Sequence, residues 1–168
     1  MLRTWQLILL IGTAILCTNC DHYTKSSVPA YPVRVVIDTG VGQFVHFTPT
    51  AVNSYIIVNK EGYFLNGKRI LPLNATDMYG YGGVVLYINM FGTYDAYDLG
   101  CPVCQSTTQP CQVNPPFAIC PICGEEYDLG SGTSVPTKGI AKEYLRRLNV
   151  SIMHYTDNAK RITISQQL

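Results

Sequence analysis

Charge is scarce in this sequence: Asp, Glu, Lys and Arg make up 14% of its 168 residues, and 12 basic residues nearly cancel 11 acidic ones. With 47% hydrophobic residues beside so few charges, the chain is neither a disordered segment nor a coiled coil. It also lacks the basic excess with which a protein neutralises phosphates, so nucleic acid is not an expected partner. Histidine is limited to His22, His46 and His154, far apart along the chain, and each reads as a solvated or structural side chain rather than a ligand. There is no GxGxxG, no P-loop and no HExxH. Gly80-Tyr81-Gly82-Gly83 has neither the lysine nor the following helix that phosphate binding uses, and reads as a turn. Internal repeats are absent too, and the length suits one domain.

There is one long apolar run. Arg3 is the only charge before Asp21, and Trp5 to Leu16 has the length of a signal-peptide core. A membrane span needs about 20 apolar residues. This run instead ends at Cys17-Thr18-Asn19-Cys20 and gives way to polar DHYTKSS. Residues 1–19 therefore read as an export signal and 20–32 as a tether, extended from Thr24 to Pro32. The segment resembles bacterial lipoprotein signals, in which the cysteine after the apolar run receives lipid and becomes the mature N-terminus. Cys20 is the expected attachment point and Cys17 the fallback. Leu-Cys-Thr-Asn at 16–19 is similar to the relaxed signals of Bacteroidetes lipoproteins. Ordinary cleavage without lipid is the alternative. The resemblance implies a lipoprotein of the cell envelope, outer-membrane or periplasmic, held to the membrane by its N-terminal lipid.

The body, residues 33–168, reads as strands joined by turns. Val33 to Asp38 and Tyr55 to Asn59 are β-branched runs. Tyr63 to Leu65 and Lys68 to Leu71 flank Asn66-Gly67, the strongest hairpin dipeptide. Val84 to Met90 is apolar enough to be buried on both faces, and Thr93 to Asp98 follows Gly92. Val150 to His154 and Arg161 to Ser165 alternate about a turn at Asp157-Asn158, as a closing hairpin would. Only Ile140 to Leu148 carries a helical stripe, of about two turns. The expected fold is all-β, a small antiparallel barrel or sandwich.

Most of the chemical information lies in the cysteines. Of the seven, Cys101, Cys104, Cys111, Cys120 and Cys123 fall close together. Cys101-Pro-Val-Cys104 and Cys120-Pro-Ile-Cys123 form two CxxC pairs at the spacing of a four-thiolate metal site. Two intervening residues allow a tight knuckle to aim both sulfurs at one ion about 2.3 Å away, in tetrahedral geometry. Gly124 can take a positive φ and turn backbone N–H groups toward the sulfurs; Gln105 holds the equivalent place in the first knuckle. Zinc or iron bound through these cysteines is the leading expectation, with Cys111 a substitute for Cys104. Disulfides with no cofactor are the competing reading in an exported protein. A thioredoxin-type redox pair is disfavoured, because GEEYDLGSG after Cys123 does not start a helix.

From Ala96 to about Val150, AYDLGCP, ICPICGEEYDLGSG and KGIAKEYLRRLNV resemble the cluster-binding region of Rieske domains, over roughly a third of the chain. That resemblance implies a Rieske-type β fold with a subdomain of rubredoxin-like cysteine knuckles at about 95–135. Such domains hold a two-iron two-sulfur cluster through one Cys and one His from each of two loops. Here the first loop's ligand positions fall on Ala96 and Asp98, and both are lost. In the second loop Cys120 matches the cysteine, and Cys123 stands where the histidine would be. Tyr127-Asp128-Leu129 with Gly132, and Gly139-Ile140-Ala141, resemble the family's downstream turns. AYD, CP and CPxCG without the histidines resemble small Bacteroidetes lipoproteins of Rieske type. An iron-sulfur centre held here by thiolates alone would have a low potential, and would imply an electron-transfer role with a redox partner in the envelope. Four thiolates on zinc leave no open position, so catalysis is not expected and a binding or accessory module with an envelope partner is the first reading.

Other constellations are weaker. Glu125, Glu126 and Asp128 read as a solvated loop flank rather than paired catalytic carboxylates. Asn74-Ala-Thr and Asn149-Val-Ser fit the glycosylation sequon. Twelve tyrosines are expected to fill cross-strand pairs and core.

Overall fold

The structure is a computed structural model, and it describes residues 24–40, 42–45, 49–156 and 159–166. The export signal, Cys17, Cys20, His22, His46 and the Asp157-Asn158 turn lie outside the described residues. The described residues form two antiparallel sheets and no α-helix.

The strands are β1 (Val33–Asp38), β2 (Tyr55–Asn59), β3 (Gly62–Leu65), β4 (Lys68–Leu71), β5 (Met78–Tyr79), β6 (Val84–Ile88), β7 (Tyr94–Asp98), β8 (Gln112–Asn114), β9 (Phe117–Ile119), β10 (Glu126–Asp128), β11 (Pro136–Lys138), β12 (Arg147–His154) and β13 (Lys160–Gln166). Nine of them run in the order β4-β3-β2-β6-β7-β12-β13-β1-β5, and the other four in the order β11-β10-β9-β8. Asn66 and Gly67 take φ of 48° and 81° between the paired ends Leu65 and Lys68. Both central residues of a two-residue type I′ turn need positive φ, which explains why this dipeptide makes the hairpin.

The larger sheet is open rather than a closed barrel. Its edges, β4 and β5, do not pair with each other. One edge carries exposed Lys68 and Arg69, and the other is two residues long, both devices that discourage further pairing.

Its curvature still brings β1 and β13 into a common core with β2 and β6. Val35, Ile37, Ile56, Val58, Val84, Leu86, Ile162 and Ile164 are all fully buried there. The other face of β6 belongs to a second core. Val85 and Tyr87 pack with Tyr97, Leu99, Ala118, Tyr127, Leu129 and Leu145 between the two sheets. Every residue of β6 is thus buried, as an apolar run predicts, but the strand ends at Ile88 and Met90, expected within it, is exposed.

Two expectations are corrected. Ile140–Leu148 is not helical: Arg147 already opens β12, and the preceding residues run extended. A nine-residue segment gains little from isolated helix formation. Here its Ile140 and Ala141 amides bond to the Glu125 carboxylate instead. The flank at 125–128 is not simply solvated either, because Glu125 is buried.

The described part of the tether is laid onto the domain. Thr24 bridges to Glu143, Val28 is fully buried, and Tyr31 packs on Tyr81 with ring centroids 5.2 Å apart.

Candidate metal centre

Two short connections of similar design carry the cysteines. The first leaves β7 through Leu99-Gly100 and turns back at Cys101–Gln105. The second joins β9 to β10 at Cys120–Gly124. In each, the residue after the second cysteine donates its N–H to the carbonyl of the first: Gln105 to Cys101 at 2.8 Å and Gly124 to Cys120 at 3.0 Å. Closing such a turn needs a left-handed residue, and Gly124 has φ of 73° while Gln105 has φ of 47°. Gln105 therefore meets the same backbone demand without glycine, at a cost of about 1 kcal/mol.

The two turns meet. Sγ atoms of Cys101, Cys104, Cys120 and Cys123 all lie within 4.8 Å of one another, and Cys101 Sγ is 3.7 Å from Cys123 Sγ. A tetrahedral ion with bonds of about 2.3 Å holds its sulfurs about 3.8 Å apart. The separation is far beyond the roughly 2.05 Å of a disulfide, and all five described cysteines are free thiols. Cys101 and Cys120 are buried, Cys104 is half-buried and Cys123 is exposed, so the cluster sits at the surface end of the second core.

Cys111 is not one of the four; Cys104 takes the place for which both were candidates. Cys111 ends the first loop with its N–H on the Leu99 carbonyl, 2.8 Å away. The β8–β9 register, Gln112 opposite Ile119, brings Cys111 next to face Cys120. Its thiol is buried beside the cluster. The neighbouring Cys111 thiol and the Tyr127 hydroxyl hold the Cys101 thiol well below the usual thiol range. Cys111 is pushed up in turn, by its proximity to Cys101 and by burial. Donors aimed at a sulfur stabilise its thiolate, the form that binds metal.

The contacts that Tyr127, Glu125, Gly139 and the Gln105 side chain make around the site were not anticipated from the sequence. Tyr127 sits fully buried on β10, its hydroxyl 3.5 Å from Cys101 Sγ. Glu125 leaves the second knuckle and accepts the Ile140 and Ala141 amides at 2.7 and 3.1 Å. Gly139, opposite, is so close that a Cβ there would fall 2.2 Å from the Glu125 carboxylate. Gln105 reaches Ser27 Oγ through its side chain, 3.1 Å away. The available signal was position: Gln105, Glu125 and Tyr127 stand beside or shortly after a cysteine pair.

Ala96 and Asp98 lie on β7, outside the cluster. Ala96 is fully buried in the first core. Asp98 is buried and accepts N–H bonds from Tyr81 (2.6 Å), Gly82 (2.8 Å) and Gly100 (2.8 Å). Burial pushes its carboxyl up, while these donors and Arg146 pull the other way. Asp98 thus fixes the start of the first cysteine loop against the 80–83 turn. His154, the one histidine among the described residues, is exposed near the end of β12 and takes no part in the cluster.

Fold and site together define an all-β protein with a four-cysteine cluster able to hold a metal ion. No family model, curated protein or solved structure matches the chain.

Proposed function

We propose that this protein is an exported, lipid-anchored β domain of Rieske-like type, in which four thiolates hold one structural zinc or iron ion in place of a two-iron cluster. It serves the cell envelope as a non-catalytic binding or accessory module, tethered through Cys20. The observation that carries the metal reading is the mutual approach of four sulfurs, from two turns distant in sequence, to within 4.8 Å. Such a spread suits a single ion. In a two-iron cluster, two bridging sulfides separate the irons and hold the two thiolate pairs farther apart. With every coordination position filled by thiolate, the ion activates no water and organises the loops instead. The Rieske-like reading rests on the order of AYDLGCP and CPICGEEYDLGSG together with the all-β architecture.

Elemental analysis of anaerobically purified full-length protein, paired with thiol counting, is the test. One equivalent of zinc or iron per chain, lost on replacing Cys120 with Ser, is the expected result. Metal-free protein with intact disulfides would overturn the metal reading. Visible bands of bridging sulfide, with two irons per chain, would replace it by the electron-transfer reading. Replacement of Cys20 with Ala is expected to move the protein from the membrane to the soluble fraction.

A further inference from the structure

We propose that the ion held by the two knuckles fastens the N-terminal strap, residues 24–28, onto the domain, so that metal loss frees the outer end of the strap, Thr24-Lys25. The inference rests on the metal reading above.

The strap has no place in either sheet. Its one ladder contact is the parallel bridge of Thr24 with Glu143, in which Thr24 N donates to the Lys142 carbonyl at 2.8 Å. Its other polar contacts come from Gln105 of the first cysteine turn, from Glu143 and from Arg146. From the first turn, Gln105 Nε2 donates to Ser27 Oγ at 3.1 Å. Val28 packs against Gly100, where a Cβ would come within 2.9 Å of Cγ1. On the second side, Glu143 Oε2 accepts Ser27 N at 2.6 Å. Glu143 belongs to a segment whose start, Ile140-Ala141, is gripped by Glu125 at the foot of the second knuckle. A recess of about 250 Å³ joins the two sides, lined by Thr24, Pro102, Val103 and residues 140–143.

The first knuckle thus holds one flank of the strap directly and the second holds the other through the Glu125-bound segment 140–143, and the ion is what holds the knuckles together. Without it, four thiol groups crowded at one point have no common partner and the two flanks are free to separate. The Arg146 guanidinium, which donates to the Ser26 and Val28 carbonyls from the approach to β12, does not depend on the knuckles. It sets the hinge, and Thr24-Lys25 is the part released. Because the strap continues toward Cys20, the consequence is a domain whose seating on its anchor responds to metal.

The test uses full-length protein, metal-loaded and chelated, treated with trypsin. Cleavage after exposed Lys25, read by mass spectrometry, is expected to quicken about tenfold on metal removal. Cleavage after Arg161, in β13 and paired on both sides, is expected to stay slow. Equal cleavage at Lys25 with and without a demonstrated bound ion would overturn the proposal and leave the metal reading standing. So would a parallel rise at both sites, since the ion would then hold the whole fold. Coupling is reciprocal, so combining Ser27→Ala with Glu143→Ala, both outside the knuckles, is expected to speed metal loss to a colorimetric chelator about fivefold; an unchanged rate would also overturn it. Absence of bound metal in the unaltered protein sinks the underlying reading, and elemental analysis reveals that before protease is added.

Discussion

Asp98 shows how one buried carboxylate can tie two turns together. Three N–H groups converge on its two oxygens. An amide of the same shape offers only one acceptor and turns an NH2 toward donors on the other side. Asp98→Asn is expected to destabilise the protein by about 2–3 kcal/mol, measured by urea unfolding. Asp98 also sets the start of the loop that carries Cys101. Tyr97, its neighbour, presents the opposite case. Its ring is fully buried, and among the described residues nothing accepts or donates a hydrogen bond at its hydroxyl. Tyr97→Phe is expected to cost less than about 1 kcal/mol, and a loss above twice that would show an essential partner. Tyr127 differs again, since its hydroxyl faces Cys101 Sγ. Tyr127→Phe is expected to weaken metal retention against a chelator by about tenfold while the fold persists, within the range that supporting hydrogen bonds contribute.

Among the elements, the two knuckles form a natural comparison. Both close with the same backbone hydrogen bond and a left-handed residue, yet one uses Gly124 and the other Gln105. A Cβ at Gly124 would meet nothing within 4 Å. Gly124→Gln is therefore opposed only by its positive φ, a cost of about 1 kcal/mol. Thermal unfolding of the metal-loaded protein measures this, and a loss of several kcal/mol would show crowding that the geometry lacks. Gln105 carries that cost, and its side-chain bond to Ser27 is a gain glycine would lack. The hairpin at Asn66-Gly67 obeys the same rule of positive φ and was legible for that reason. The 140–148 segment was not. Its leucines at 145 and 148 would share one face of a helix, but in the extended chain they point to opposite sides and enter different cores. What decided between helix and extended chain was the buried Glu125 carboxylate, a long-range partner that no local pattern announces.

At the scale of the molecule, two cores share one strand. Val84 and Leu86 of β6 face the first, Val85 and Tyr87 the second, and the second ends in the sulfurs of Cys101, Cys111 and Cys120. Metal removal is therefore expected to act unevenly. Amide exchange should rise in β8–β11 by an order of magnitude or more while β1, β2 and β13 stay protected. Uniform loss of protection would mean that the ion holds both cores. Acidification should act through the same site. Ligand thiolates bind either metal or protons, so the metal's contribution to stability is full near neutral pH and declines as pH falls. Elemental analysis after desalting across a pH series follows that release.

What the chain dictates by itself is whatever depends on neighbours in sequence: alternating apolar strands, the hairpin at Asn66-Gly67, and two CxxC turns stiffened by proline. These are local properties, set by backbone geometry and by the two-residue period of a strand. Tertiary structure alone decided which sulfurs meet, that Cys104 and not Cys111 completes the four, that the sheet stays open, and that the segment read as an extended tether lies held by Gln105, Glu143 and Arg146. Those outcomes turn on contacts between residues as far apart as Ser27 and Glu143, whose energies depend on packing that neighbouring residues do not encode.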